Sequence, residues 1–220
     1  MSQSFLDGFI KPSNSIGLNK GIDYHSPMDY KRAAGALIFT GAVQFVIGML
    51  LAEFLYPGYS ASGNYISDLG ATCRATCIIM QPSASIFNAS ASLLGILVLL
   101  GSYLIWREFH GFLIPVLFGL TGAGTLGVGL FPETAGVIHE LVSLVAFLSG
   151  GLSAIAACKL VKAPFTYFSV LMGITSLIAL ALFLSEIYLG LGPGGMERMI
   201  AYPVLLWATG FGGYLMSSQQ

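Results

Sequence analysis

Six apolar runs, near residues 33–55, 84–106, 111–131, 137–158, 165–188 and 197–216, alternate with polar breaks that each contain proline, glycine or charge. A helix needs about 20 apolar residues to cross a hydrocarbon layer of roughly 30 Å, and every run meets that length. The pattern predicts an all-α polytopic bundle of six transmembrane helices with no separate soluble domain. It leaves residues 1–32 as a polar leader whose Pro, Gly, Ser and Asn favour turns, and residues 217–220 as a short tail. The leader has no apolar core of its own, so a cleaved signal peptide is not expected.

Composition narrows the class. Of 220 residues, 55% are hydrophobic and only 9% charged, against about 25% charged in soluble domains. A formal charge of -1 provides no basic field for nucleic acid, which is excluded as a partner. The cations set the orientation. With the N-terminus inside, Lys11, Lys20, Lys31, Arg32, Arg107, Lys159 and Lys162 are cytoplasmic, and only Arg74 and Arg198 are outside. This positive-inside bias predicts cytoplasmic N and C termini in a multi-pass protein of the cell membrane.

The same orientation gathers most of the acidic residues at the outer face. Glu53, Asp68, Glu133, Glu140, Glu186 and Glu197 lie there with Arg74, His139 and Arg198. Glu53 and Glu186 are expected about one turn inside the outer ends of the first and fifth helices. Ionisable groups at that depth are costly against lipid and need partners, so a structural salt-bridge network is the first expectation. In LFPETAGVIHE, residues 130–140, Glu133 falls in the turn between the third and fourth helices. His139 is expected to enter the bundle with Ser143 one turn on, while Glu140 points about 100° away and need not share its pocket.

The loop YPGYSASGNYISDLGATCRATCIIMQPS, 56–83, opens with turn residues. Ser67 and Asp68 then suit the cap of a short helix running towards Cys77, with Asp68 satisfying backbone amides. On such a helix Cys73 and Cys77 share a face, and a disulfide, two free thiols and ligation all remain open. The third run contains Gly119, Gly122, Gly124, Gly127 and Gly129, which allow close helix approach and suggest a central span. In GLGPGGMER, 190–198, a helix N-terminus beside Arg198 suits an anion, although Glu197 opposes it and can instead cap the helix.

Catalytic signals are sparse. There is no HExxH, GxSxG or P-loop, and His25, His110 and His139 belong to three separate regions, which disfavours a metal or haem site. No cofactor or metal is expected. An enzymatic role would use His139 with Asp68, Glu133 or Glu197 for proton transfer. A triad of Ser67, Asp68 and His139 is the weaker form of that idea.

LYPGYSASGNYISDLG at 55–70, GLFPETAGVIHE at 129–140 and GPGGMERMIAYP at 192–203 together resemble the DUF998 family of small prokaryotic membrane proteins. The likeness runs from the first span to the sixth and is most specific at Tyr59 and Ile66–Gly70. Phe131, Pro132, Glu133, His139, Gly194, Glu197 and Arg198 fit it as well. It implies a multi-helix membrane fold and no established substrate or reaction. The cysteine pair and the leader have no place in that pattern.

Three functions follow as expectations. The first is a non-catalytic accessory subunit or binding protein of a larger membrane complex, with membrane lipids and other membrane-protein subunits as partners. The second is a membrane enzyme acting on a lipid headgroup or periplasmic substrate through His139. The third is a small proton-coupled transporter using Glu53 and Glu186, which the near absence of ionisable groups deeper in the spans disfavours.

Overall fold

The computed structural model describes residues 29–74 and 76–217. The expected leader, apart from its last four residues, and the tail beyond 217 lie outside the described residues. Among the described residues, six helices are long and apolar enough to cross a membrane: α1 Tyr30–Phe54, α2 Ser83–Phe109, α3 Leu113–Leu130, α4 Val137–Ala156, α5 Phe165–Leu184 and α6 Gly192–Ser217. A 3-10 turn, Ala157–Leu160, prolongs α4. The expected all-α six-span bundle is the observed fold. In lipid, backbone N–H and C=O groups find no water, and helices satisfy them internally, which is why six long apolar runs become six helices.

The helices form a ring in chain order, each packed on the next, and α6 closes back on α1. Small residues make the seams, because apolar side chains gain little from leaving apolar lipid and close backbone packing must supply the attraction. A Cβ on Gly35 of α1 would lie 2.6 Å from the Gly212 carbonyl of α6. One on Gly95 of α2 would lie 2.4 Å from the Leu126 amide nitrogen of α3. The glycines of α3 serve such seams with α2 and α4. The helix is therefore one segment of the ring and not the central span expected from its glycine content. Leu50, Phe54, Ile96, Leu100, Leu141, Ile178 and Leu206 are exposed on the perimeter, as lipid-facing positions require.

Aromatic and basic groups mark the end of the bundle near His110. Arg107 donates to the hydroxyls of Tyr103 at 2.9 Å and Tyr30 at 3.3 Å, and Trp106 stands beside Tyr103. Such amphipathic side chains belong at a membrane interface.

Two helix limits depart from the hydropathy pattern by more than a turn. The fifth helix stops at Leu184, four residues before the expected end. Glu186 adopts a left-handed φ of 58°, its amide bonds to the Phe183 carbonyl at 3.0 Å, and Ile187 N–H bonds to Leu182 at 2.9 Å. This is the paired-bond helix stop usually built on glycine, here carrying a glutamate. The sixth helix starts at Gly192, five residues early, because Pro193 with its fixed φ and absent N–H suits the first turn.

The loop from α1 to α2 folds back over the end of the bundle. A 3-10 turn, Ser67–Leu69, is all that forms of the expected helix towards Cys77. It is followed by a hairpin of β1, Thr72–Cys73, and β2, Cys77–Ile78, paired antiparallel with Cys73 opposite Cys77. The sulfurs of Cys73 and Cys77 are bonded to each other, and this cross-link belongs to the hairpin and not to a helix face. Cys158 is free.

Candidate functional site: a polar cavity joined to an apolar one

Arg198 in the second turn of α6 anchors the loop. Its Nη1 donates to the carbonyls of Ala61 at 2.8 Å, Gly194 at 3.1 Å and Asn64 at 3.3 Å, and its Nη2 donates to the Tyr59 hydroxyl at 2.7 Å and to the Glu53 carboxylate. Tyr59 passes its own hydrogen to the Tyr65 carbonyl at 2.8 Å. Burial raises the pKa of this phenol against the pull of Arg198, so it stays protonated and remains a donor. Gly194 makes the approach feasible. Its N–H bonds to Ser62 at 2.9 Å, and a Cβ there would fall 1.9 Å from the Asn64 carbonyl oxygen.

Three carboxylates hold the rest of the loop. Asp68, fully buried, accepts on Oδ2 from Tyr65 N–H and Asn64 Nδ2, both at 2.9 Å, and from Arg74 at 3.0 Å. Arg74 also lies 4.4 Å over the ring of Tyr65. Glu133, in the 3-10 turn Glu133–Ala135, accepts from the Ser67 hydroxyl at 2.8 Å and from Cys73 N–H at 3.0 Å. Burial is the largest influence on its carboxyl and raises its pKa, with the charge of Asp68 adding to the rise. The two hydrogen bonds and His139 pull it back part of the way. Glu197 accepts from the amide of Ile66. It therefore caps the loop and not, as its place near a helix start suggested, its own helix.

His139 on α4 is buried, with Nδ1 2.8 Å from the Phe131 carbonyl. A carbonyl only accepts, so Nδ1 carries the hydrogen, and in the neutral ring Nε2 is the acceptor, 3.4 Å from Ser143 Oγ. Ser143 was anticipated as a partner, whereas the Phe131 carbonyl carries no sequence signal.

These groups border a cavity of ≈ 650 Å³ at the polar end of the bundle, lined by Tyr65, Arg74, Glu133, His139, Glu140 and Glu197 among others, with Phe183 and Leu180 from α5. His139 and Glu140 thus face one cavity despite their angular separation on the helix. Deeper lies an apolar cavity of ≈ 120 Å³ between α2, α3, α4 and α6, lined by Phe87, Leu94, Ala146, Ala201, Val204 and Leu205 among others. Ser67, Ser143, Phe147 and Glu197 line both, so the two adjoin.

Of the residues expected in an outer network, Glu53 with Arg198, and Asp68 with Arg74, form ion pairs. Glu133 and Glu197 are bonded to the loop, and His139 shares their cavity. Glu186 is the exception. The stop of α5 places it in an exposed turn, and no ion pair among the described residues includes it. Arg198 is engaged by five oxygen acceptors through Nη1 and Nη2, while its buried Nε has no hydrogen-bond partner among the described residues. Tyr59 stood out in the family likeness but not as a partner of Arg198, and Asn64 and Tyr65 escaped the sequence reading, although a Tyr-rich, Asn-containing turn beside ISDLG was visible. No group of three or more His, Cys, Asp or Glu among the described residues is placed to hold a metal ion.

Six membrane-length helices in a ring, capped at one end by a loop bonded to buried carboxylates, define a polytopic integral membrane protein. A family model described as "Protein of unknown function (DUF998)" matches residues 39–213, from within α1 to within α6, and the chain belongs to that family. No curated protein and no solved structure matches the chain.

Proposed function

We propose that this is a non-catalytic binding protein of the cell membrane that holds a small amphipathic ligand at its outward-facing end, as an accessory subunit of a larger membrane assembly. The observation that carries the reading is the junction of the two cavities at Ser67, Ser143, Phe147 and Glu197, which gives one site a polar mouth and an apolar floor. Sites of this kind, mostly apolar with a few placed polar groups, suit small molecules. Catalysis is the weaker reading, because Glu133 through both oxygens and Asp68 through Oδ2 accept from the loop, and His139 meets a carbonyl and a serine. Transport is weaker too, since among the described residues Glu197 is the one ionisable side chain lining the deeper cavity.

Native mass spectrometry of the protein extracted in a neutral detergent tests this. The unmodified chain should retain a non-detergent adduct, and Ala201→Leu, which fills the deeper cavity, should lose most of it. Absence of an adduct, or equal retention by the variant, would refute the binding role. The accessory role predicts co-purification with a larger complex after mild extraction.

A further inference from the structure

Among the described residues, three with carboxyl groups, Glu133, Glu140 and Glu197, line the polar cavity, and the one guanidinium there, Arg74, is already paired with Asp68. Acidic side chains therefore outnumber basic ones along this wall. Glu133 has both oxygens engaged by Ser67 and Cys73. Glu197 does not. It is only 5% exposed and accepts from Ile66 through Oε2, while Oε1, which is not one of the buried side-chain atoms left without a partner, remains open to the cavity. Arg198, its neighbour in sequence, is bonded to Glu53 instead. A carboxylate so buried, at the junction of two cavities, calls for a cation or a strong donor.

The surrounding wall narrows the cation. Phe147 and Phe183 line the same cavity as Glu197, with Tyr65 packed edge-on to Phe183 at 5.6 Å. Aromatic faces beside a carboxylate suit an organic ammonium, whose charge is diffuse and whose methyl groups tolerate apolar contact. One face of Tyr65 is taken by Arg74, which leaves the phenylalanines for a ligand. The polar cavity, ≈ 650 Å³, lies within the roughly 300–1,000 Å³ of small-molecule sites. The deeper one, ≈ 120 Å³, is near the size of an apolar cavity of about 150 Å³ that accepts benzene. It accommodates a short alkyl group and not a whole lipid chain.

We infer that the polar cavity is a binding site for an organic ammonium ion, with its nitrogen at Glu197 and a short apolar substituent in the deeper cavity. The inference rests on the binding role proposed above. Isothermal titration of the full chain in neutral detergent tests it with hexyltrimethylammonium, tetramethylammonium, hexan-1-ol and hexanoate, all too short to form micelles at the concentrations used. Hexyltrimethylammonium should bind saturably and hexanoate should not. Glu197→Gln keeps an oxygen for the Ile66 amide and should weaken that binding about tenfold or more. Ala201→Leu should abolish the advantage of hexyltrimethylammonium over tetramethylammonium. Hexanoate or hexan-1-ol binding as tightly as the ammonium would overturn the ammonium assignment and leave the amphiphile role standing. Undiminished ammonium binding by a folded Glu197→Gln would overturn it likewise. If no probe binds, both fall. The probe series and Ala201→Leu decide the matter even where Glu197→Gln yields no folded protein.

Discussion

Arg198 and Glu53 are bonded to each other across 145 positions of sequence, so the last helix of the ring is tied to the first at the polar end. The side chain of Arg198 is 8% exposed and that of Glu53 19%. Removing one partner strands the other in a poorly hydrated site, and truncations of buried pairs cost about 3–5 kcal/mol. Arg198→Ala should therefore lower the thermal midpoint sharply. Arg198→Lys should recover only part of it, because an ammonium has three hydrogens for the five oxygens that Arg198 serves. Thermal unfolding in detergent, followed by tryptophan fluorescence, checks the order wild type, Lys, Ala. Equal midpoints for Lys and wild type would contradict the multidentate role.

Gly194 lies where the loop meets α6. A Cβ would fall 1.9 Å from Asn64 O and 2.7 Å from Ala61 O, and both are backbone atoms that a rotamer change cannot move aside. Gly194→Ala should displace the loop, with a cost on the order of 1–3 kcal/mol typical of overpacking. Limited proteolysis within residues 56–64 should accelerate. Unchanged cleavage would mean that the loop does not depend on this contact.

Glu133 supplies a pH dependence. Its carboxyl is raised above the ordinary value of 4.5 in the folded protein, chiefly by burial, so the folded state holds the proton more tightly than the unfolded chain. Such a group contributes most to stability below pH 4.5, and its contribution declines as pH rises towards the folded value. The thermal midpoint of the wild type should fall more steeply with pH above 4.5 than that of Glu133→Gln. Parallel profiles would rule out this assignment. At neutral pH the variant still loses one acceptor, for either Ser67 or Cys73 N–H.

The cysteines report orientation. If the polar end faces outward, a membrane-impermeant maleimide added to intact cells should label Cys73 and Cys77 only after an impermeant reductant. Cys158, at the opposite end of α4, should react only after permeabilisation. Labelling of Cys158 from outside would invert the topology inferred from the lysines and arginines.

The spans were legible because apolar length is a local property, and a lipid solvent turns it into helix with few alternatives. Their ends were less so. In LSEIYLG the apolar content continues past Leu184, yet two backbone hydrogen bonds around a left-handed Glu186 stop the helix, and hydropathy does not register such bonds. At 72–78 the spacing of Cys73 and Cys77 fitted one helix face, and strand pairing took its place.

By itself the sequence determined the six-helix membrane class and the crowding of carboxylates and Arg198 at one end, since both follow from residue type and position along the chain. Tertiary structure alone decided the pairings. Glu197 reaches Ile66, 131 positions away, and leaves its own neighbour Arg198 to Glu53. Glu186 is left outside while His139 and Glu140 face one cavity. A buried polar group takes the partner that closure of the ring places within hydrogen-bond reach, and that distance is set by helix packing, which no spacing along the chain records.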